Sequence, residues 1–138
     1  MRTKTELSER PPEFTVAREG TKAVIIFYTD VVEEEREESV AYSAISWMIE
    51  RTWTPGLEDR IREYYAQWLS VAQSECRAKA AAIVRDVRDK EIAKTDYLLC
   101  ADYPISEEDR RVVSAYRQAL RDIPEQPGFP FDVEWPRL

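Results

Sequence analysis

The chain contains no histidine, and this absence removes several classes of catalysis and metal binding. Ser-His-Asp and Cys-His catalysis, zinc held by histidine and the two-histidine metalloprotease helix all require an imidazole. Histidine is also the side chain that most readily transfers protons near neutral pH. A glycosidase that uses only carboxylates would need two acids about 5–9.5 Å apart in a cleft, and no spacing here indicates such a pair. We therefore expect a non-enzymatic protein with no catalytic residues and no metal.

Glycine is almost as scarce, with Gly20, Gly56 and Gly128 as its only positions. A glycine-rich loop that binds phosphate needs glycines close together, so no nucleotide cofactor, and no cofactor of another kind, is expected. The two cysteines, Cys76 and Cys100, form no CxxC pair. We interpret them as reduced thiols that serve as small apolar residues.

Long hydrophobic runs and excess positive charge are both lacking. The longest apolar run covers residues 23–28, far short of a membrane span, and the N-terminus has no signal-peptide core. With 20 basic and 27 acidic residues the net charge is -7, which disfavours nucleic acid as a partner. These features predict neither membrane nor nucleic-acid binding and indicate a cytoplasmic site of synthesis.

A length of 138 residues is typical of one domain with tails. Residues 1–12 are polar, end in two prolines and are interpreted as a flexible leader. Residues 13–84 are expected to form an N-terminal hairpin plus helices, and residues 85–138 a separate C-terminal region.

Two apolar runs, 14–16 and 23–28, flank Gly20 and predict a β-hairpin. Next, Asp30 is followed three residues later by Glu33, a pattern typical of a helix start. The apolar spacing then predicts a helix up to about residue 49. The acidic run Glu33–Glu38 is interpreted as the solvated first turn of this helix.

The segment from Pro55 to Ala93 contains one glycine, at its start, and no further proline, and it predicts one long helix. Unbroken, this helix would be roughly 55 Å long. Either it breaks, or it associates with a partner or with copies of itself, and we favour association as a homo-oligomer.

Ser106 is expected to cap a last helix that ends near Asp122, because Pro124 cannot continue it. Residues 123–136 then contain four prolines and three large aromatic residues, which predicts an extended segment. Such a segment serves either as an anchor in a partner's groove or as a tail wrapped over its own core. The predicted fold class is α+β, mainly α, with an N-terminal β-hairpin, three helices including one long one, and an extended C-terminus.

A group of short motifs in the last third resembles one known family. The motifs are Arg88-Asp89, Ile92, Thr95-Asp96, Asp102–Ile105, Tyr116–Pro124, Gly128–Pro130 and Val133–Pro136. Over about residues 85–137 this pattern resembles the phage tail assembly chaperone family, proteins encoded among bacteriophage and prophage tail genes. The chain has Tyr97 and Val113 where relatives usually carry tryptophan, and residues 1–84 are outside the resemblance.

The resemblance implies a non-enzymatic chaperone of tail or tail-fibre assembly that works in the bacterial cytoplasm and binds a tail structural protein. Bulky aromatic side chains and arginines are common anchors at protein interfaces. The expected partner-binding residues are therefore Tyr116, Arg117, Arg121, Phe129, Phe131 and Trp135.

Two other functions fit the same sequence. The first is a structural virion component, such as a tail-fibre, spike or baseplate accessory protein held by its long helix. The second is a regulator whose acidic run, Glu33–Glu38, binds a basic surface on a host protein.

Overall fold

The computed structural model describes all residues, 1–138, and shows two compact units, Met1–Ala78 and Lys79–Leu138. The boundary between them falls within the longest helix. None of the helices combines the length and the apolar character needed to span a bilayer.

The first unit is built on a four-stranded antiparallel sheet. Its strands are β1 (Arg2–Leu7), β2 (Phe14–Glu19), β3 (Lys22–Arg36) and β4 (Ser39–Thr52), and their spatial order is β1-β4-β3-β2. Gly20 has φ 64° in the turn between β2 and β3, a conformation that glycine adopts without steric cost. The sheet therefore has its two longest strands at its centre.

One face of this sheet carries the core of the unit. Ile25 and Phe27 of β3 and Ile49 of β4 are fully or almost fully buried. Two helices follow the sheet, α1 (Leu57–Glu63) and α2 (Tyr65–Ala93). The ring of Tyr65 lies with its centroid 5.9 Å from that of Phe27, so the start of α2 packs on this face. Burial of such large apolar side chains contributes about 1.5–3 kcal/mol each.

The two central strands continue beyond their neighbours. β2 pairs with β3 only over residues 22–27, and β1 pairs with β4 only over residues 42–47. The remaining part of the β3–β4 hairpin, residues 30–41, is a two-stranded extension that we call the ribbon. A β-bulge between Thr29 and Val32 lies at its base, where Asp30 has φ 53°.

The predicted fold class is wrong in its N-terminal half. The segment expected to form a helix from Asp30 to about residue 49 is the end of β3 and nearly all of β4. Residues 2–7, interpreted as part of a leader, form β1. The fold is thus α+β with a full sheet rather than mainly α with a single hairpin. β4 carries apolar or small buried residues on both faces, and these hide the alternation of apolar and polar residues that is typical of a strand. A helix was therefore predicted there.

The long predicted helix is interrupted once. α1 ends at Tyr64, whose φ of -113° and ψ of 38° are not helical, and α2 then continues for 29 residues. No glycine or proline marks this break in the sequence, so local residue preferences gave no signal for it.

The second unit contains the end of α2, a 3₁₀ helix (Asp96–Leu99), α3 (Glu107–Arg121) and a second 3₁₀ helix (Ile123–Glu125). The Ser106 side chain caps α3 by accepting a hydrogen bond from the Asp109 amide at 3.0 Å. The buried apolar residues of this unit are Ala81, Val113, Leu120, Ile123 and Pro130.

The predicted extended C-terminus is also wrong. After α3 the chain forms the second 3₁₀ helix and then a series of turns through residue 132. Prolines restrict backbone φ, and this restriction suits tight turns as well as extended chain. Composition alone therefore did not distinguish between the two.

Candidate partner-binding site

Arg117 joins α3 to the end of α2. Its guanidinium donates hydrogen bonds to the Ile92 carbonyl oxygen at 2.9 Å, to Thr95 Oγ1 at 2.9 Å and to Asp96 Oδ1 at 2.7 Å. The Thr95 hydroxyl, which is buried, donates to the same Ile92 carbonyl at 2.8 Å. The Ile92 carbonyl also accepts from the Thr95 amide at 3.0 Å, so Arg117 adds a charge-assisted bond to a carbonyl at the end of α2 and fixes the corner between the helices.

These contacts change the role expected for Arg117. Its side chain is only 12% exposed, and all three hydrogen bonds come from Nη1. A guanidinium held in the corner in this way offers little surface to a partner's carboxylate. Arg121, by contrast, lies one turn further along α3, is exposed and makes no ion pair. The position of Arg117 between Val113 and Leu120, on the buried stripe of α3, was the sequence signal for its burial.

The C-terminal turns are held by a reciprocal pair of hydrogen bonds. Gln126 Nε2 donates to the Glu134 carbonyl oxygen at 2.8 Å, and the Glu134 amide donates to Gln126 Oε1 at 2.7 Å. Between them, the Asp132 amide donates to the Gly128 carbonyl at 2.8 Å. The approach is so close that a Cβ built on Gly128 would lie 1.8 Å from the Asp132 carbonyl oxygen. Sequence reasoning did not identify Gln126 as a structural residue.

The aromatic residues predicted to bind a partner differ in how far they are exposed to solvent. Tyr116, Phe129 and Phe131 are half-buried, whereas Trp135 is 38% exposed. The guanidinium of Arg85, on α2, lies 5.3 Å from the centroid of the Phe129 ring, within the range of a cation–π contact. Phe129 is thus supported from within the unit, and Trp135 presents the larger free surface.

Tyr97 and Tyr103 form a second aromatic feature on this unit. Their rings meet edge to face with centroids 5.1 Å apart, and their exposures are 53% and 36%. Val113, by contrast, is 5% exposed and belongs to the core. Tyr97 therefore contributes to the surface of the unit and Val113 to its packing.

The titratable groups with shifted pKa values do not converge on a cleft. Burial, assisted by the charge of Glu13, raises the pKa of Tyr65, and a hydrogen bond to the Glu91 carboxylate raises the pKa of Lys94. No group of three or more acidic or cysteine side chains is placed to hold a metal ion. The arrangement of the second unit is suited to contact with another macromolecule through exposed rings and arginines.

Comparison with known families bears on the second unit. Residues 81–138 match the family of the phage tail assembly chaperone protein. The resemblance carried by the sequence motifs is thereby confirmed, and the match lies wholly within Lys79–Leu138. No curated protein and no solved structure matched the chain.

The tail assembly chaperone match includes both sides of the Arg117 corner. Ile92, Thr95 and Asp96 come from the first motifs of the pattern, and Arg117 comes from a motif about twenty residues later. Part of the motif pattern therefore corresponds to residues that hold the unit together. The match supports a role in phage tail assembly.

Proposed function

We propose that this protein is a non-enzymatic chaperone of bacteriophage tail or tail-fibre assembly that binds a tail structural protein in the cytoplasm of the host. The observation that carries the proposal is the family match over residues 81–138, which coincides with a compact unit that exposes aromatic side chains. A chaperone of this kind needs an apolar surface for its client and charged surface elsewhere to stay in solution.

Trp135 is the proposed centre of the contact surface. It is a large aromatic residue near the end of a segment whose backbone is fixed by the Gln126–Glu134 pair. Because the segment is already ordered, little conformational entropy is lost when it binds. We propose the half-buried Tyr116, Phe129 and Phe131 as further contacts, and the exposed Arg121 as a cation for a client carboxylate.

Co-expression with the tail structural proteins of the same phage or prophage tests this proposal. We expect one of them to co-purify with the chain, and Trp135→Ala to weaken that complex by at least about tenfold while thermal stability stays nearly unchanged. The matched control is Tyr64→Ala, which removes an aromatic ring that is 50% exposed on the first unit. Equal loss in both variants would contradict a specific role for Trp135.

The composition of purified particles separates a chaperone from a structural component. We expect mass spectrometry to find the chain absent from virions or far below the copy number of tail proteins. A fixed copy number in every particle would mean that the chain is a tail-fibre, spike or baseplate accessory protein instead.

A further inference from the structure

The sheet of the first unit has two edges, which β1 and β2 form. The Tyr28 amide donates to the Glu13 carbonyl at 3.0 Å, and this bond sets the phase of the pairing between β2 and β3. Because hydrogen-bonded pairs alternate along an antiparallel ladder, every second residue of β2 turns its backbone groups towards β3. The others, Phe14, Val16 and Arg18, turn theirs outward, and no other group of the chain hydrogen-bonds to them.

The edge at β1 carries charges that discourage further pairing. The same alternation, set there by the bond from the Met48 amide to the Met1 carbonyl, makes Arg2, Lys4 and Glu6 its outward residues. Charged side chains, lysine above all, are a common protection of sheet edges. β2 has phenylalanine and valine at two of its three outward positions, and it contains neither a proline nor a bulge. The edge at β2 is therefore the one suited to accept another strand.

The outward residues of β2 also lie at an incompletely covered end of the core. Phe14 and Val16 pair with Phe27 and Ile25, which are fully buried, yet both are only half-buried themselves. A groove of about 280 Å³ lies beside Val16, between β2 and the start of α1. The segment that leads into β2, residues 8–12, lies against β3 and so approaches from the inner side of the sheet. A strand added at β2 would complete the cover of the core.

We infer that this protein forms a dimer in which β2 pairs with β2 of a second copy. In the symmetric arrangement the two strands run antiparallel, so that each contact occurs twice. The register centred on Val16 uses every outward amide and carbonyl of both strands, because it places Phe14 opposite Arg18 of the second copy. The two four-stranded sheets then continue into one another.

The side chains that this register brings together attract one another. The guanidinium of Arg18 lies 3.8 Å from the centroid of the Trp53 ring, which holds it on the core face of the sheet. The Phe14 ring of the second copy lies directly opposite on the same face, because residues paired across two strands share a face. An arginine beside an aromatic ring is stabilised by a cation–π contact, and the symmetry supplies this contact twice.

The charges of α1 are complementary in the same arrangement. Asp59 lines the groove beside Val16, and no cation of the chain pairs with it. Arg62 lies at the other end of β2, with its guanidinium 5.7 Å from the centroid of the Phe14 ring. The two-fold axis exchanges the two ends of β2, so Arg62 of one copy faces the end that carries Asp59 in the other. Charge complementarity therefore supports the same register.

A second copy fits this edge better than an unrelated strand does, because the chain itself carries both members of each contact. One strand pair buries less area than the roughly 1,600 Å² of a standard interface, so we expect a weak dimer. The interface uses β2 instead of the long helix. It lies in the first unit and does not depend on the function proposed for the second.

Sedimentation equilibrium of the full-length chain tests the dimer. At about 0.15 M salt the net charge of -7 on each copy is largely screened, and we expect a reversible dimer with Kd on the order of 10 µM. Val16→Pro removes the central outward amide and leaves the pairing with β3 intact, so it should raise Kd more than tenfold. Lys4→Pro removes the corresponding amide at the other edge and should leave Kd within about twofold. Circular dichroism establishes that each variant is folded.

A pair of charge reversals tests the register without altering the strand backbone. The register centred on Val16 places Glu19 opposite Glu13 of the second copy at both ends of the strand pair. Glu19→Lys replaces this repulsion by attraction and should lower Kd about fivefold. Glu37→Lys makes the same change of net charge in the turn of the ribbon and should lower Kd less than about twofold. These two variants decide the question even if Val16→Pro does not fold.

Three results would overturn the inference. A wild-type chain that stays monomeric up to about 1 mM would leave the edge to a strand of another protein. Equal effects of the two proline variants on a dimer would place the interface away from β2. Equal effects of the two lysine variants would contradict the register centred on Val16.

Discussion

At the scale of single residues, Arg117 stabilises the corner between α2 and α3 in the second unit. It satisfies three acceptors from a position that is almost buried, and hydrogen bonds that involve a charged group are stronger than neutral ones. All three bonds come from Nη1, and a lysine ammonium lies one bond closer to the backbone, so it cannot reach the three acceptors together. We expect Arg117→Lys to reduce the free energy of unfolding by about 2 kcal/mol, measured by urea denaturation.

Arg121→Lys is the control for this prediction. It makes the same chemical change one turn along α3, at an exposed position without an ion pair, and should alter the free energy of unfolding by less than about 0.5 kcal/mol. Similar losses in both variants would show that the Arg117 hydrogen bonds are not the stabilising feature.

Gly128 occupies a position that has no room for a side chain. A methyl group there would meet the Asp132 carbonyl oxygen, a backbone atom that cannot move without opening the C-terminal turns. We expect Gly128→Ala to destabilise the protein by about 3 kcal/mol in thermal denaturation. Gly20→Ala meets no atom within 4 Å and strains only its positive φ, so it should cost about 1 kcal/mol. The reverse order would contradict the close approach at Gly128.

The candidate site could be predicted from sequence only in part. The motifs located the unit and its exposed tryptophan, because aromatic residues beside prolines are visible in a sequence. They did not separate Arg117 from Arg121, since both carry the same charge and lie one turn apart on the same side of α3, and only the contacts of Arg117 with the end of α2 distinguish them. Gln126 and Arg85 were missed because each acts through one contact, with Glu134 or with the Phe129 ring, that exists only after the chain has folded.

At the scale of elements, the ribbon shows why the N-terminal half was difficult to predict. Its acidic run has low β-propensity and follows an Asp–Glu pair that suits a helix start. The ribbon forms a hairpin nevertheless, because it continues the β3–β4 pairing of the sheet, within which β4 lies between β1 and β3. Tertiary pairing therefore overrides the local preference.

The ribbon's turn, Glu37–Glu38, is not optimal for a two-residue hairpin. Such turns favour two residues with positive φ, and the only residue of the chain other than glycine with positive φ is Asp30. We expect replacement of the pair by Asn–Gly to raise the free energy of unfolding of the protein by about 0.5 kcal/mol. Glu37→Gln with Glu38→Gln removes only the charge. An equal gain in that variant would assign the effect to repulsion instead of turn geometry.

At the scale of the whole molecule, charge and family resemblance are unevenly distributed. The family match covers the second unit, whereas the ribbon of the first unit carries six of the 27 acidic residues in a dozen positions. One unit thus carries the resemblance to a tail assembly factor, and the other carries the acidic ribbon.

The two cysteines offer a way to follow folding of the whole chain without added probes. Cys76 is 2% exposed and lies in the first unit, where its thiol faces the Met48 carbonyl at 3.5 Å, whereas Cys100 is exposed in the second. We expect a thiol reagent to modify Cys100 at once in the native protein. Cys76 should react on the order of a thousandfold more slowly, because its sulfur becomes accessible only when the first unit opens.

Removing the exposed thiol isolates the slow reaction. In Cys100→Ser the rapid phase should disappear, and the remaining rate should rise steeply with urea in parallel with the loss of the sheet measured by circular dichroism. Rapid reaction of both thiols in the folded wild-type protein would contradict the burial of Cys76 beneath β4.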